Sequence, residues 1–419
     1  MKTVFKKIFF IILLFIILIT SSGCTHSFGV EELAYVIAIG LDTSEDDDLE
    51  LTLQFATSGN SSDSSGEGSS SSGSSKQSTK STISSVKCKT IDSGITLINS
   101  HISKKINLSH CKEIIISEDL AKKGIINYLD TLVTNPELSN SAEIVVSKCT
   151  AKKYIEKVNP VFEGLLSEYY SASLKTNTYT AYSTNMNLST FYCLLKDSYF
   201  EPYASLGNIT EDADSNSSSN SQITDSINGN YIAGNYDIDD KNPIQTIGFV
   251  AFKDDKLVGE FTGLDCVCFS IINNTLEECN LSIPHPFYEN KYMDLYVTSS
   301  KKTKCKIDTS SDYPIIHLDI YLTGFGQSVD EAISYGDEEN IEKIKQSAEN
   351  YTQQSILNFL NKTSTEYNSD ICGFGRYAVK NCLTMEQWAD YNWLDNYKNV
   401  VFDVNVSFNI KAGRVFSET

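Results

Sequence analysis

Apolar residues recur along this chain with two periods. At 400–411 (VVFDVNVSFNIK) they alternate: Val400, Phe402, Val404, Val406, Phe408 and Ile410 face one way and mostly polar residues the other. That pattern predicts a strand with one solvated face. At 338–360, Ile341, Ile344, Ala348, Tyr351, Ser355 and Phe359 step by three and four, and Asp337 is a good N-cap. This predicts the longest helix, laid over one face of an antiparallel sheet. A mostly apolar run predicts a strand at 33–41 and alternation one at 49–56, joined as a hairpin over an acidic turn at 42–48. Further strands are predicted at 83–91, 112–118 and 142–149, with helices at 90–104, 118–133 and 151–158 between and after them. Ser117 and Thr150 are the N-caps expected for the last two helices. The run 247–262 (IGFVAFK-DD-KLVGEFT) spells a β-hairpin. Residues 264–272 fit strand or helix, and strands are predicted at 277–283, 292–299, 304–308 and 315–323. A helix carrying Tyr377 and Trp388 follows residue 375.

Two polar stretches interrupt the periodic sequence. Residues 58–81 are Ser- and Gly-rich and bury too little apolar surface to order themselves, which reads as a flexible loop. Residues 205–245 form a second polar region. These shifts divide the chain into a signal at 1–23, an N-terminal α+β domain at 24–204, a polar loop or linker at 205–245, a hairpin-rich middle region at 246–336, and a C-terminal helix and strand at 337–419 that pack with the middle strands.

The first residues change the picture most. Lys2, Lys6 and Lys7 precede an apolar run at 8–19, and Ser22 and Gly23 lead into Cys24. This is the three-part form of a secretory signal, and small residues before a cysteine make it a lipoprotein signal. The run is about 12 residues, short of the ~20 needed to span a bilayer. Cys24 is therefore the expected lipid-attachment site, with cleavage just before it. Loss of Lys2, Lys6 and Lys7 takes the net charge from −20 to about −23, three positive charges fewer. So acidic a chain argues against nucleic acid as partner and would be repelled by an anionic bilayer. Attachment must come from acyl chains.

Candidate chemistry is sparse, and no catalytic or metal-binding constellation emerges. His110-Cys111 could suggest a thiol nucleophile, but a structural pair before a strand is favoured. His317 and Asp319 fall on the polar side of a strand. Ten cysteines besides Cys24 are widely and irregularly spaced, which suggests free, mostly buried thiols; Cys266 and Cys268 would share one face of a strand. Gly373-Phe374-Gly375 is too short for a phosphate loop and suits a tight turn. Trp388 and Trp393 suit a core better than an exposed patch.

Four segments resemble the Ger(x)C lipoproteins, the C subunits of spore germinant receptors: Glu32-Leu33-Ala34 with Ile39-Gly40-Leu41-Asp42 after Cys24; Leu108-Ser109-His110 with 120–137; the hairpin 250–259; and Asp370 to Gly375 with Trp388, Trp393 and the closing strand through Gly413. Thr25 stands where the family often has Trp, and the Ser-rich insertions are extra. The resemblance implies three mixed α+β domains in an elongated arrangement and a non-enzymatic protein without cofactor. It implies lipid anchoring on the outer face of the spore inner membrane beside two integral membrane subunits that sense nutrients. It also gives Asp370, Gly373, Phe374, Gly375, Trp388 and Trp393 a structural or interaction role. The other readings are a substrate-binding lipoprotein of a transporter, which needs two hinged lobes and fits the long helix poorly, and an exported hydrolase using His110 or His317.

Overall fold

A computed structural model describes residues 2–20, 29–44, 48–56, 81–173, 175–210, 230–236, 238, 241–309, 313–326 and 337–411. The Ser-rich loop, most of the second polar stretch, Cys24 and Gly413 lie outside these residues. The N-terminal basic and apolar run is helix α1 (Lys2–Thr20). Among the described residues no helix is long and apolar enough to cross a membrane.

The architecture is α+β, built on two sheets. In the first, β1 (Leu33–Thr43) and β2 (Leu49–Ala56) make the predicted hairpin, with Thr43 opposite Leu49. β3 (Ser81–Cys88) pairs antiparallel with β2. Helix α2 (Ile91–His101) starts on a capping box between Thr90 and Ser93, and the short β4 (Lys105–Asn107) lies beside the start of β1. β5 (Glu113–Ser117) pairs parallel with β1. The single helix expected at 118–133 is two, α3 (Glu118–Lys123) and α4 (Ile126–Thr134). Gly124 breaks it with φ +117°, a conformation closed to other residues, and Ser117 makes no side-chain cap. β6 (Glu143–Ser147) then pairs parallel with β5, and α5 (Ala151–Lys157) starts where the Thr150 hydroxyl accepts from Lys153 N. The aromatic stretch without a clear period holds α6 (Leu166–Ser173), α7 (Asn177–Thr180) and α8 (Leu188–Leu195).

The second polar stretch does not begin at 205. Strand β7 (Tyr203–Ile209) runs through its start and pairs parallel with β6. The hairpin, β8 (Ile244–Lys253) and β9 (Lys256–Phe261), was expected with the C-terminal strands. Instead β8 pairs antiparallel with β7, so the order is β3-β2-β1-β5-β6-β7-β8-β9. The sequence of β8 explains this. Val250 and Phe252 pack into the core of the first sheet, and Phe249 and Ala251, on the opposite face, into the C-terminal core. A strand buried on both faces reads as a continuous apolar run.

The second sheet has the order β10 (Cys279–Pro284), β11 (Tyr292–Asp308), β12 (Ile315–Gly326) and a final strand numbered β13 (Val401–Lys411). The two strands expected at 292–299 and 304–308 are one, bulged between Ser299 and Lys304. Residues 264–272 are helix: α9 (Gly263–Asn273) opens on a capping box between Thr262 and Asp265, so Cys266 and Cys268 sit on a buried helix and not on a strand face. Helix α10 (Glu338–Asn361) starts at Asp337, whose side chain accepts from Glu339 N, as predicted. It buries Ile344, Ala348, Ile356 and Phe359. Pairings from β10 to β12 are antiparallel, whereas β13 returns beyond α10 and joins β12 in parallel. α10 also covers the free edge of β13: Gln353 Nε2 donates to Val404 O at 2.6 Å, and Glu349 Oε1 accepts from Phe408 N at 2.9 Å. An uncovered edge would invite pairing with another chain.

Candidate functional site

The residues singled out near the C-terminus come together at the seam between the two sheets. α10 ends in one π-helical turn, Lys362–Glu366, where the Thr363 and Ser364 hydroxyls donate back to Leu360 O. Asn368 (φ +47°) then turns the chain into a fully buried segment. Ser369 Oγ donates to Phe252 O on β8 at 2.6 Å, and Glu201 N donates to Asp370 O at 3.1 Å. The Asp370 carboxylate is wholly buried and accepts three hydrogen bonds: Phe374 N (3.0 Å) at Oδ1, and Gly375 N (2.8 Å) and Trp393 Nε1 (2.8 Å) at Oδ2. Burial outweighs these donors and pushes its pKa up to about 6.

The two glycines are steric requirements. Gly373 has φ +70°, and a Cβ there would lie 2.0 Å from Phe200 Cδ2; one on Gly375 would lie 2.5 Å from Tyr199 O. The expected single helix after Gly375 is instead α11 (Gly375–Ala378), α12 (Met385–Tyr391) and α13 (Trp393–Asn396). This splits Trp388 and Trp393 between two helices yet stacks their rings 6.2 Å apart. Both are buried, as a core reading requires, and Trp388 Nε1 donates to Ser198 Oγ at 3.1 Å. Phe374 packs between Tyr397 and Phe402, the latter on β13. Gly373→Ala should therefore lower the unfolding free energy by roughly 3 kcal/mol, through left-handed strain and overlap with Phe200. Urea denaturation of the full chain checks this; a loss below about 1 kcal/mol would show that Phe200 moves aside freely.

Residues far off in sequence complete the seam. Glu201 is buried, accepts from Asp254 N at 2.9 Å and lies 3.3 Å from Lys253 Nζ, which also donates to Leu394 O. Burial pushes Glu201 up to about 7 despite Lys253. Nothing in sequence marks Glu201, 169 positions before Asp370. In the hairpin turn, Asp255 Oδ2 accepts from Ile126 N at 3.2 Å, so the Asp-Asp pair also caps α4.

The segment Ile39-Gly40-Leu41-Asp42 has a similar role within the first sheet. Asp42 is buried and accepts from Ala151 N (2.7 Å) and Lys152 N (2.9 Å), capping α5. A Cβ on Gly40 would meet Ile155 Cδ1 at 2.9 Å, so the glycine lets α5 lie close on β1. Next along the sheet, Glu113 and Glu143 are register partners on β5 and β6. Burial pushes Glu113 up to about 8, helped by Glu143, and Glu143 up to about 7. A carboxyl group whose pKa is raised by folding adds stability below its unfolded value and withdraws it as the pH rises through the folded value. For Glu113, Glu143, Glu201 and Asp370 that window spans about pH 4 to 8. The melting temperature should accordingly rise by a few degrees between about pH 8 and about pH 5.5. Glu113→Gln should blunt that rise, and an unaltered slope would assign it to general charge repulsion.

The remaining expectations fall elsewhere. His110 packs against Tyr35 with ring centroids 4.6 Å apart and the rings tilted, and Cys111 is a buried thiol that donates to Glu113 O, its pKa raised by burial. His317 Nδ1 lies 2.7 Å from Asp403 Oδ2 on the solvated face of the second sheet. The ten cysteines among the described residues are free, and six of them, Cys266, Cys268, Cys279, Cys305, Cys372 and Cys382, lie in the C-terminal core or pack against it.

Comparison with known proteins accords with this geometry. Residues 29–208 match the family described as "Spore germination protein N-terminal domain", and 247–413 match "Spore germination B3/ GerAC like, C-terminal". The chain is 20% identical over 416 residues to a putative spore germination protein, YfkR, of Bacillus subtilis (strain 168), covering 99% of each chain. It is 19% identical to spore germination protein GerQC of Bacillus cereus over 75% of this chain and 77% of that one. The crystal structure of the GerBC protein has the same fold, with a TM-score of 0.51 at 13% identity over 89% of this chain and 96% of that one.

Proposed function

This chain belongs to the Ger(x)C family of spore germination proteins, and from that membership we propose that it is the lipid-anchored, non-enzymatic subunit of a nutrient germinant receptor. Acyl chains on Cys24 hold it to the outer face of the spore inner membrane, beside two integral membrane subunits. The observation that carries this reading is the pairing of two family matches, which together span most of residues 29–413, with a lipoprotein signal ending at Cys24. The buried Asp370 seam suits such a role. Its hydrogen-bonding groups are committed to joining the two sheets, so what it supplies is a fixed relation between them. Asp370, Gly373, Phe374, Gly375, Trp388 and Trp393 are accordingly positioning residues of the scaffold.

Deletion of the gene in its spore-forming host should slow or abolish germination in at least one nutrient, followed as loss of optical density. A tagged copy should restore it and bring two integral membrane proteins with it from detergent-solubilised spore membranes. An unchanged response to every nutrient, together with a tagged protein that purifies alone, overturns the reading.

A further inference from the structure

Beside the seam, on the C-terminal core, lies a cleft of about 470 Å³ that the seam itself does not use. Ile272 from α9, Leu318 from β12 and Phe374 give it an apolar floor. Arg376, Tyr377 and Lys380 line it from α11 and the turn that follows. The size is that of a small-molecule site, and polar side chains outnumber apolar ones in its lining.

Its charge is unusual for this molecule. The sequence holds 54 acidic and 34 basic residues, yet no Asp or Glu lines the cleft. Arg376 is one of only two arginines in the chain, the other being Arg414. Its guanidinium lies 4.5 Å from the Phe200 ring centroid, and Lys380 Nζ lies 5.0 Å from that of Tyr377. Among the described residues neither cation has a carboxylate partner, although acidic side chains are plentiful. Two cations without a carboxylate partner, at the rim of a hollow with apolar side chains in its lining, call for an acceptor-rich anion with an apolar body.

We propose that this cleft binds a small organic carboxylate. Arg376 and Lys380 hold the carboxylate group, Arg376 by the paired N–H geometry that a guanidinium offers. The body of the ligand lies against Ile272 and the exposed Tyr377 ring. Because the motif turn at Gly373 and Phe374 forms one wall, occupancy is felt directly at the seam. This inference stands on the cleft alone and holds whether or not the chain serves in a receptor.

Benzoate and its uncharged analogue benzamide test it, titrated into the full-length protein in detergent micelles and followed by ligand-observed saturation-transfer NMR. Benzoate should bind saturably at millimolar concentration or below. Benzamide should bind at least about ten-fold more weakly, the usual effect of losing charge-assisted hydrogen bonds. Arg376→Gln with Lys380→Gln should weaken benzoate by a similar factor, and Arg376→Lys should restore part of it. Added salt should weaken benzoate but leave benzamide unchanged. No saturable benzoate binding, equal binding of the two probes, or wild-type affinity in the double variant overturns the proposal. Should the double variant fail to fold, the probe comparison and the salt series still decide it.

Discussion

Replacing Cys24 with alanine is expected to move the protein from the membrane pellet to the soluble fraction of disrupted spores. The effect should be nearly complete, because among the described residues no helix is long and apolar enough to cross a membrane. Each buried acyl CH₂ contributes about 0.8 kcal/mol, so two or more chains give stable attachment where one gives only marginal binding. The apolar run at 8–19 measures about 18 Å as a helix, well under a hydrocarbon core of ~30 Å. A net charge of −20 before cleavage excludes an electrostatic substitute on an anionic surface. Centrifugation followed by immunoblotting reads the result, and mass spectrometry of the wild-type N-terminus reads the modification. Wild-type levels of the alanine variant in the pellet would mean that something other than Cys24 binds the bilayer.

The second large effect is expected at Asp370. Asp370→Ala strands three donors, Phe374 N, Gly375 N and Trp393 Nε1, in a site closed to water. Each unsatisfied buried donor costs about 1–3 kcal/mol, and the turn loses its organising acceptor, so the unfolding free energy should fall by about 4 kcal/mol. Asp370→Asn keeps one acceptor but turns an amide donor towards donors, and should cost about half as much. Urea denaturation measures both, and Trp393, freed of its acceptor, reports the change in its fluorescence. An alanine variant within about 1 kcal/mol of wild type would show that water or a neighbouring group replaces the carboxylate.

The sequence made the periodic elements legible because their burial is one-sided. β13 buries Val404, Val406 and Phe408 while Asp403 and Asn405 stay exposed, and α10 begins at the Asp337 cap. It did not show that β13 runs parallel to β12, since alternation is blind to strand direction. It placed Asp42 in an acidic turn; the carboxylate in fact caps a helix more than a hundred residues on. The pattern at 118–133 predicted one helix, and the break at Gly124 follows from its backbone angle and the nearness of Asp255. The motif residues from Asp370 to Gly375, with Trp388 and Trp393, were visible as a set. Their partners Phe200, Glu201 and Lys253 were not, because nothing local distinguishes a residue whose partner is remote.

Strand β8 also governs the order in which this molecule can acquire its shape. A nascent chain leaves the ribosome amino end first, so the edge of β7 stays unpaired until residues 244–253 emerge. The core that Val250 and Phe252 close must wait with it. Proteolytic release of the chain up to Thr210 would accordingly yield a sticky fragment with an unsatisfied ladder along β7, dependent on its other half much as one piece of a split protein depends on its complement.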